Sequence, residues 1–375
     1  MSFSTVAYHL SVLAASFIFL SYDAFAASSG ALIKAKQQAE SKGYVFYDNH
    51  DDIVAEAKKK GGQLRVLAEM EGSHIKDAMV SFKRKYPFLD IYIEEITGTD
   101  QARRNILEIK TGTAKDWDIL HLSSDFYSEY LPYLRKFDIA GMAEHGVLDI
   151  PVPMVDPINR NIVAFFSRFQ VTAYNKNLIT ADKVPTAWEG FLKPEFKGKK
   201  FAADIRPTEV AALVPAWGLE KTVDFARKIA AQEPFWVRGG SRTLTAMMGG
   251  EISLFLGPNF HSTRRAMGKD PTGVLQYVIT EPVPLRMALF EAVQKDARNP
   301  HAALLWLEWM ASPEAQKQAD EHEPLGSSVY VRGSAVENEL RGKKLSVVSW
   351  QDVQKLEDWQ AKIFEAYGFP KAEKK

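Results

Sequence analysis

The sequence predicts an α/β protein of two lobes, each an open and mostly parallel sheet flanked by helices. Three observations carry that reading. The chain has 375 residues, enough for two domains. Strand-like runs alternate with amphipathic helical runs, the pattern of parallel βαβ units. Two long extended segments, 163–174 and 276–280, interrupt that rhythm and are read as the crossings between lobes. With 46% hydrophobic and 25% charged residues the composition is that of a globular protein and excludes disorder and fibre. Lys+Arg and Asp+Glu are both 47, so the basic excess of a phosphate-binding surface is lacking and no nucleic-acid partner is expected. With no cysteine, disulfides, thiolate metal sites, Cys nucleophiles and Cys-borne lipid anchors are excluded together.

At the N-terminus, Leu10–Ser21 is uncharged and apolar but shorter than a membrane span. Small residues follow at Ala24 and Ala26, the pattern of a signal peptide cleaved near Ala26. The product is expected free in the periplasm, as a monomer with no direct membrane anchor. Residues 27–60 read as a helical lead-in that Gly61 and Gly62 stop. Lobe 1 then begins (61–168). It has a strand at Leu64–Ala68, a helix with Ile75, Ala78, Met79, Phe82 and Tyr86 on one face, and a half-buried strand where Leu89, Ile91 and Ile93 alternate with polar neighbours. Ala102, Ile106 and Ile109 mark the next helix, and Trp117–Leu122 the third strand. Lobe 2 spans 169–280, with strands at Lys200–Ala203 and Ile252–Leu256 and a helix at Leu219–Ala231. Residues 281–335 return to lobe 1, and 336–375 read as a helical tail whose lobe is open.

Ligands of open parallel sheets sit beyond the carboxyl ends of the strands, so the loops there nominate the site. In lobe 1 these are Glu71 and Ser73 after the first strand, and Ser124 and Asp125 after the third. Ser73 serves equally as an N-cap or a ligand donor. In lobe 2 they are Asp204 and Arg206, Ser241 and Arg242, and Asn259 and His261. The arginines offer planar forks suited to carboxylate or phosphate, or to neighbouring acids. No catalytic residue is assigned. Gly-x-Ser-x-Gly, the zinc-protease helix and the glycine-rich nucleotide fingerprints are absent, and the eight histidines form no i, i+3 or i+4 pair. No cofactor and no metal site is expected. Trp306 and Trp309, at helical spacing, read as core.

Several stretches carry a family likeness. Ile53–Val66, Tyr174-Asn-Lys-Asn-Leu178, Val184-Pro-Thr-Ala-Trp188, Phe196-Lys-Gly-Lys-Lys200 and above all Ala297–Gln316 resemble the bacterial extracellular solute-binding proteins of the ferric-iron, thiamine and polyamine group. In the last stretch Asn299 and Ser312 are read as N-caps, with prolines at the first helical positions. The likeness runs over most of 53–330. It implies the type II periplasmic binding protein fold, with two lobes, two hinge strands and a solute in the cleft, and a membrane permease and cytoplasmic ATPase as partners. Ferric binders of the group place two adjacent tyrosines after an Asn-His. The matching place here is Asn259-Phe260-His261-Ser262, which with Arg264 and Arg265 nearby points away from bare iron. The expected solute is small, polar and anionic: a sugar phosphate, a phosphonate or a carboxylate. Ferric iron, a polyamine, or a role as ligand-binding adaptor to a membrane sensor are the alternatives.

Overall fold

A computed structural model of the chain describes residues 30–369, apart from 71, 97, 115, 124–125 and 324–325 and the side chains of 98 and 99. The expected signal peptide, Glu71, Ser124 and Asp125 lie outside the described residues.

Two sheets form. The first contains β1 (Gln63–Ala68), β2 (Asp90–Glu95), β3 (Ile119–Leu122), β4 (Ile162–Phe169), β10 (Val283–Val293) and β11 (Leu345–Val348). The second orders β7 (Phe235–Val237), β6 (Ala202–Asp204), β8 (Leu254–Leu256), β5 (Thr172–Asn175) and β9 (Leu275–Val278). Each sheet has a parallel half, β1 with β2 and β3 in one, β6 with β7 and β8 in the other. This is the two-lobed α/β architecture that the alternation of strands and helices predicts.

Local chemistry explains most elements. β2 alternates buried Ile91 and Ile93 with more exposed neighbours because only one face of this edge strand meets the core. The helix Leu219–Ala231 buries Thr222, Phe225, Ala226 and Ile229, one stripe at helical spacing. The helix Pro300–Ala311 is buried almost all round, with Trp306 and Trp309 fully enclosed, so these tryptophans are core as expected. Ser312 caps the helix Pro313–His322 by accepting the Ala315 N–H at 3.3 Å. Asn299 departs from the expected cap. Its Nδ2 donates instead to Gln63 O (2.9 Å) while its own N–H donates to Asp118 Oδ1 (2.7 Å), so the side chain ties helix to strand rather than closing the helix.

Strand registers fix how the lobes face each other. The C-terminal half of β10 pairs antiparallel with β3, Phe290 opposite Leu122, so its N-terminal half projects past the carboxyl end of β3. β4 runs beside β10 with Phe169 opposite Leu285, and the chain passes through Gln170 and Val171 into β5. It returns from β9 to β10 through 279–282. In lobe 2, β8 runs antiparallel to β5, so its carboxyl end points back toward lobe 1. The carboxyl edges of the two parallel halves therefore confront each other. The two crossings are tied together, since the Thr172 and Thr280 hydroxyls share a buried 2.6 Å hydrogen bond.

The tail differs from the helical reading. Leu345–Val348 forms β11, parallel to the N-terminal half of β10. Trp350 packs with Phe290 in the lobe 1 core, and the helix Leu356–Ala366 then lays Trp359 and Ile363 into the lobe 2 core beside Phe225 and Ile229. The chain thus crosses between lobes a third time.

Candidate functional site

Where the carboxyl edges meet, a cavity of about 870 Å³ opens between the lobes. Tyr127 and Ser128 line it from the helix that follows β3, Arg206, Thr208 and Glu209 from the loop and helix that follow β6, and Arg286 from β10. Val353 to Gln360 of the tail close one side. The volume falls in the range of small-molecule sites.

Local structure positions each polar group. Asp204 ends β6 and is buried. Its carboxylate accepts the Arg206 N–H (2.9 Å), the Arg206 fork (3.1 and 2.7 Å) and the Gly239 N–H (3.0 Å). Burial works against its charge, but these bonds prevail and hold the acid below the usual carboxylate range. The bidentate grip fixes the Arg206 guanidinium, whose side chain remains 55% exposed. Glu209 sits half-buried on the wall, and burial pushes it up to about 7 against the pull of Arg286. Gly257, at φ 70°, makes room for it, because a Cβ there would stand 3.3 Å from the Glu209 Cβ and 3.6 Å from the Trp188 ring. Tyr127 gives its hydroxyl to Asp156, which orients the ring at the cavity edge.

A second polar group bridges the lobes beside the hinge. Glu323, at the end of the lobe 1 helix Pro313–His322, accepts from Arg168 Nη2 at 3.2 Å and from His261 Nε2 at 3.0 Å. His261 belongs to the lobe 2 helix Phe260–Gly268. Burial opposes the Glu323 charge, yet the His261 bond and the Arg168 cation outweigh it and hold the acid at about 2. Glu69 faces the same group, and burial raises its pKa against the Arg168 cation.

Of the residues that the loops nominate, Arg206 lines the cavity and Asp204 supports it from behind. The others do different work. Asn259 caps its helix through the His261 N–H (2.9 Å), His261 is held by Glu323, and Ser73 Oγ lies 3.1 Å from His322 Nδ1. Ser241 and Arg242 are exposed on the helix Gly240–Met248. Phe260, in the stretch where ferric binders carry tyrosines, is buried and stacks on Phe169 at 4.5 Å. His121 is buried in β3 with Nδ1 unpartnered. Arg286, Glu209 and the tail residues were not nominated. A signal for Arg286 exists, an arginine in a β10 run whose only other charged residue is Glu291.

A pair of α/β lobes joined by hinge strands around a cavity of ligand size defines a protein that captures a small molecule between two jaws. Among the described residues no helix is long and apolar enough to cross a membrane. Residues 139–356 match the family model described as bacterial extracellular solute-binding protein, and the chain belongs to that family. Proteins of this kind deliver their solutes to ABC permeases. Several solved structures share the fold. The Trichodesmium protein IdiA (FutA), in complex with iron and citrate, is 18% identical over 82% of this chain and 100% of its own, with a TM-score of 0.61. Ferric iron-binding protein A of Mannheimia haemolytica, in an open conformation, is 17% identical over 82% and 98%, with a TM-score of 0.64. The Bordetella ferric binding protein is 15% identical over 82% and 99%, also at 0.64. No curated protein matches the sequence.

Proposed function

We propose that the chain is the periplasmic substrate-binding component of an ABC-type importer. We propose further that it holds a small polar organic solute with an anionic group, a phosphate, phosphonate or carboxylate, in the interlobe cavity. The observation that carries this reading is the convergence of Arg206 from lobe 2 and Arg286 from the hinge strand on one cavity of ligand size. Each guanidinium comes from a different element, so a bound anion bridges the lobes and favours their closure. Ferric ion is a poorer fit. The stretch matching the tyrosine pair holds Phe260, buried against Phe169, and His261, engaged by Glu323. Export through cleavage near Ala26 is part of the proposal, and the mass of the exported product checks it.

The test is a thermal-shift screen of organic anions, sugars, polyamines and ferric salts, followed by titration calorimetry on the best anion. Arg206→Ala and Arg286→Ala are each expected to weaken binding by about 1.5–3 kcal/mol, the value of a charge-assisted hydrogen bond. Unchanged affinity in both variants refutes the anionic reading, as does a visible charge-transfer band with ferric ion.

A further inference from the structure

Among the described residues the charges that line the cavity are balanced rather than basic. Arg206 and Arg286 face it, and so do Glu209 and Glu357, the latter exposed on the first turn of the tail helix Leu356–Ala366. The two acids differ in kind from Asp204. Asp204 is saturated by Arg206 and by two backbone N–H groups. Glu209 makes no ion pair and accepts no side-chain hydrogen bond among the described residues, and its one bond is to its own backbone N–H. Half-buried, it has surrendered much of its water and keeps only the longer-range pull of Arg286 and Arg206, with no direct cation contact among the described residues, so a cation brought to it recovers the most. A solute that is only an anion gains the arginines but meets this carboxylate as a like charge.

Resting on the anionic reading above, we propose that the solute is zwitterionic, its acid group taken by Arg206 and Arg286 and an ammonium group by Glu209, with Glu357 adding to the field. The simplest solutes of that kind, amino phosphonates and amino carboxylates of a few carbons, fit within the cavity of about 870 Å³. Gly257 belongs to the same wall, because a side chain there would crowd the Glu209 Cβ at 3.3 Å. The groups facing Glu209 are Asp204 and Arg206 from its own loop, Arg286 from β10, and Glu357 and Tyr367 from the tail.

The experiment is calorimetry on the full chain with two matched series. One is 3-aminopropylphosphonate, propylphosphonate and propylamine, and the other 4-aminobutanoate, butanoate and butylamine. In at least one series the aminated acid is expected to bind ten times or more tightly than the deaminated acid and the amine. In Glu209→Gln that ratio should fall toward one while affinity for the deaminated acid holds or rises. Glu357→Gln, an exposed change that spares the fold, should narrow the ratio by a smaller factor. Because an ammonium favours ionised Glu209, which titrates near 7, the preference for 4-aminobutanoate over butanoate should grow from pH 6 to pH 8. Equal or tighter binding of the deaminated acid by the wild type, or a ratio unmoved in Glu209→Gln, overturns the zwitterion and leaves the anionic reading standing. Binding of no member of either series overturns the compact zwitterion, and binding of the amine alone overturns both readings.

Discussion

Glu323→Gln isolates the charge that clasps lobe 2 to lobe 1. The substitution keeps the shape of the side chain and removes the charge that Arg168 Nη2 and His261 Nε2 address at 3.2 and 3.0 Å. Those partners hold the acid at about 2, against an ordinary value of 4.5, even though burial works the other way. The gap corresponds to roughly 3 kcal/mol of folding stability, because each unit of pKa is about 1.4 kcal/mol. The side chain is only 5% exposed, so little of this is lost to solvent screening. A depressed carboxylate contributes fully above its unfolded value and fades as pH falls through its folded one. The wild type should therefore hold its advantage over Glu323→Gln at pH 7 and lose most of it between pH 4.5 and pH 2. Urea unfolding followed by tryptophan fluorescence at several pH values reads this directly. Equal midpoints at pH 7, or a deficit of the same size at every pH, would refute the reasoning, since the second result would mean that the amide's altered hydrogen bonding rather than the lost charge matters.

Other expectations follow from buried groups elsewhere. Glu291 is fully buried, bonded once by Trp306 Nε1 (2.8 Å) and pushed up to about 8 by burial. A raised carboxylate favours folding at low pH, so the wild type should lose several kcal/mol between pH 4.5 and 8 while Glu291→Gln shows a flatter profile in unfolding experiments. Ser346 in β11 donates to Ala212 O (2.7 Å) and accepts the Ala216 N–H (3.1 Å) of lobe 2. Ser346→Ala should cost about 1–3 kcal/mol, chiefly by removing the donor to Ala212 O while the Ala216 N–H keeps its bond to Leu213 O, measurable as a lowered midpoint. Trp359→Ala should cost about 3–5 kcal/mol and speed amide exchange across the helix Leu356–Ala366, because that large ring is buried with Ile363 in the lobe 2 core.

How much of this was legible in the sequence depends on whether the governing contact is local. Helix Leu219–Ala231 and strand Asp90–Glu95 were readable because their burial follows a period set within the segment. The strand Leu345–Val348 was not, being four residues long and defined by its register on β10, some 60 residues earlier. The loop after β6 could be nominated because parallel topology alone directs strand ends toward the space between lobes, which brought Arg206 forward. Nothing local says that Glu323 is the partner of His261, or that Glu209 lacks a partner. Those facts arise only when separate elements pack. Arg286 stood with Glu291 as a charge in a mostly apolar run, a signal that became intelligible once β10 was seen to extend beyond β3 into the space between lobes.

The third crossing places the two ends of the described chain on different bodies. Ala39, Phe46 and Ile53 near the beginning belong to the lobe 1 core, while Trp359, Ile363 and Tyr367 near the end belong to that of lobe 2. Fluorophores attached near Ser41 and Phe364 would ride on opposite jaws, so a change in their separation becomes an optical gauge of closure that leaves the interior untouched. A solute could then be sought by colour ratio in solution, before its identity is known.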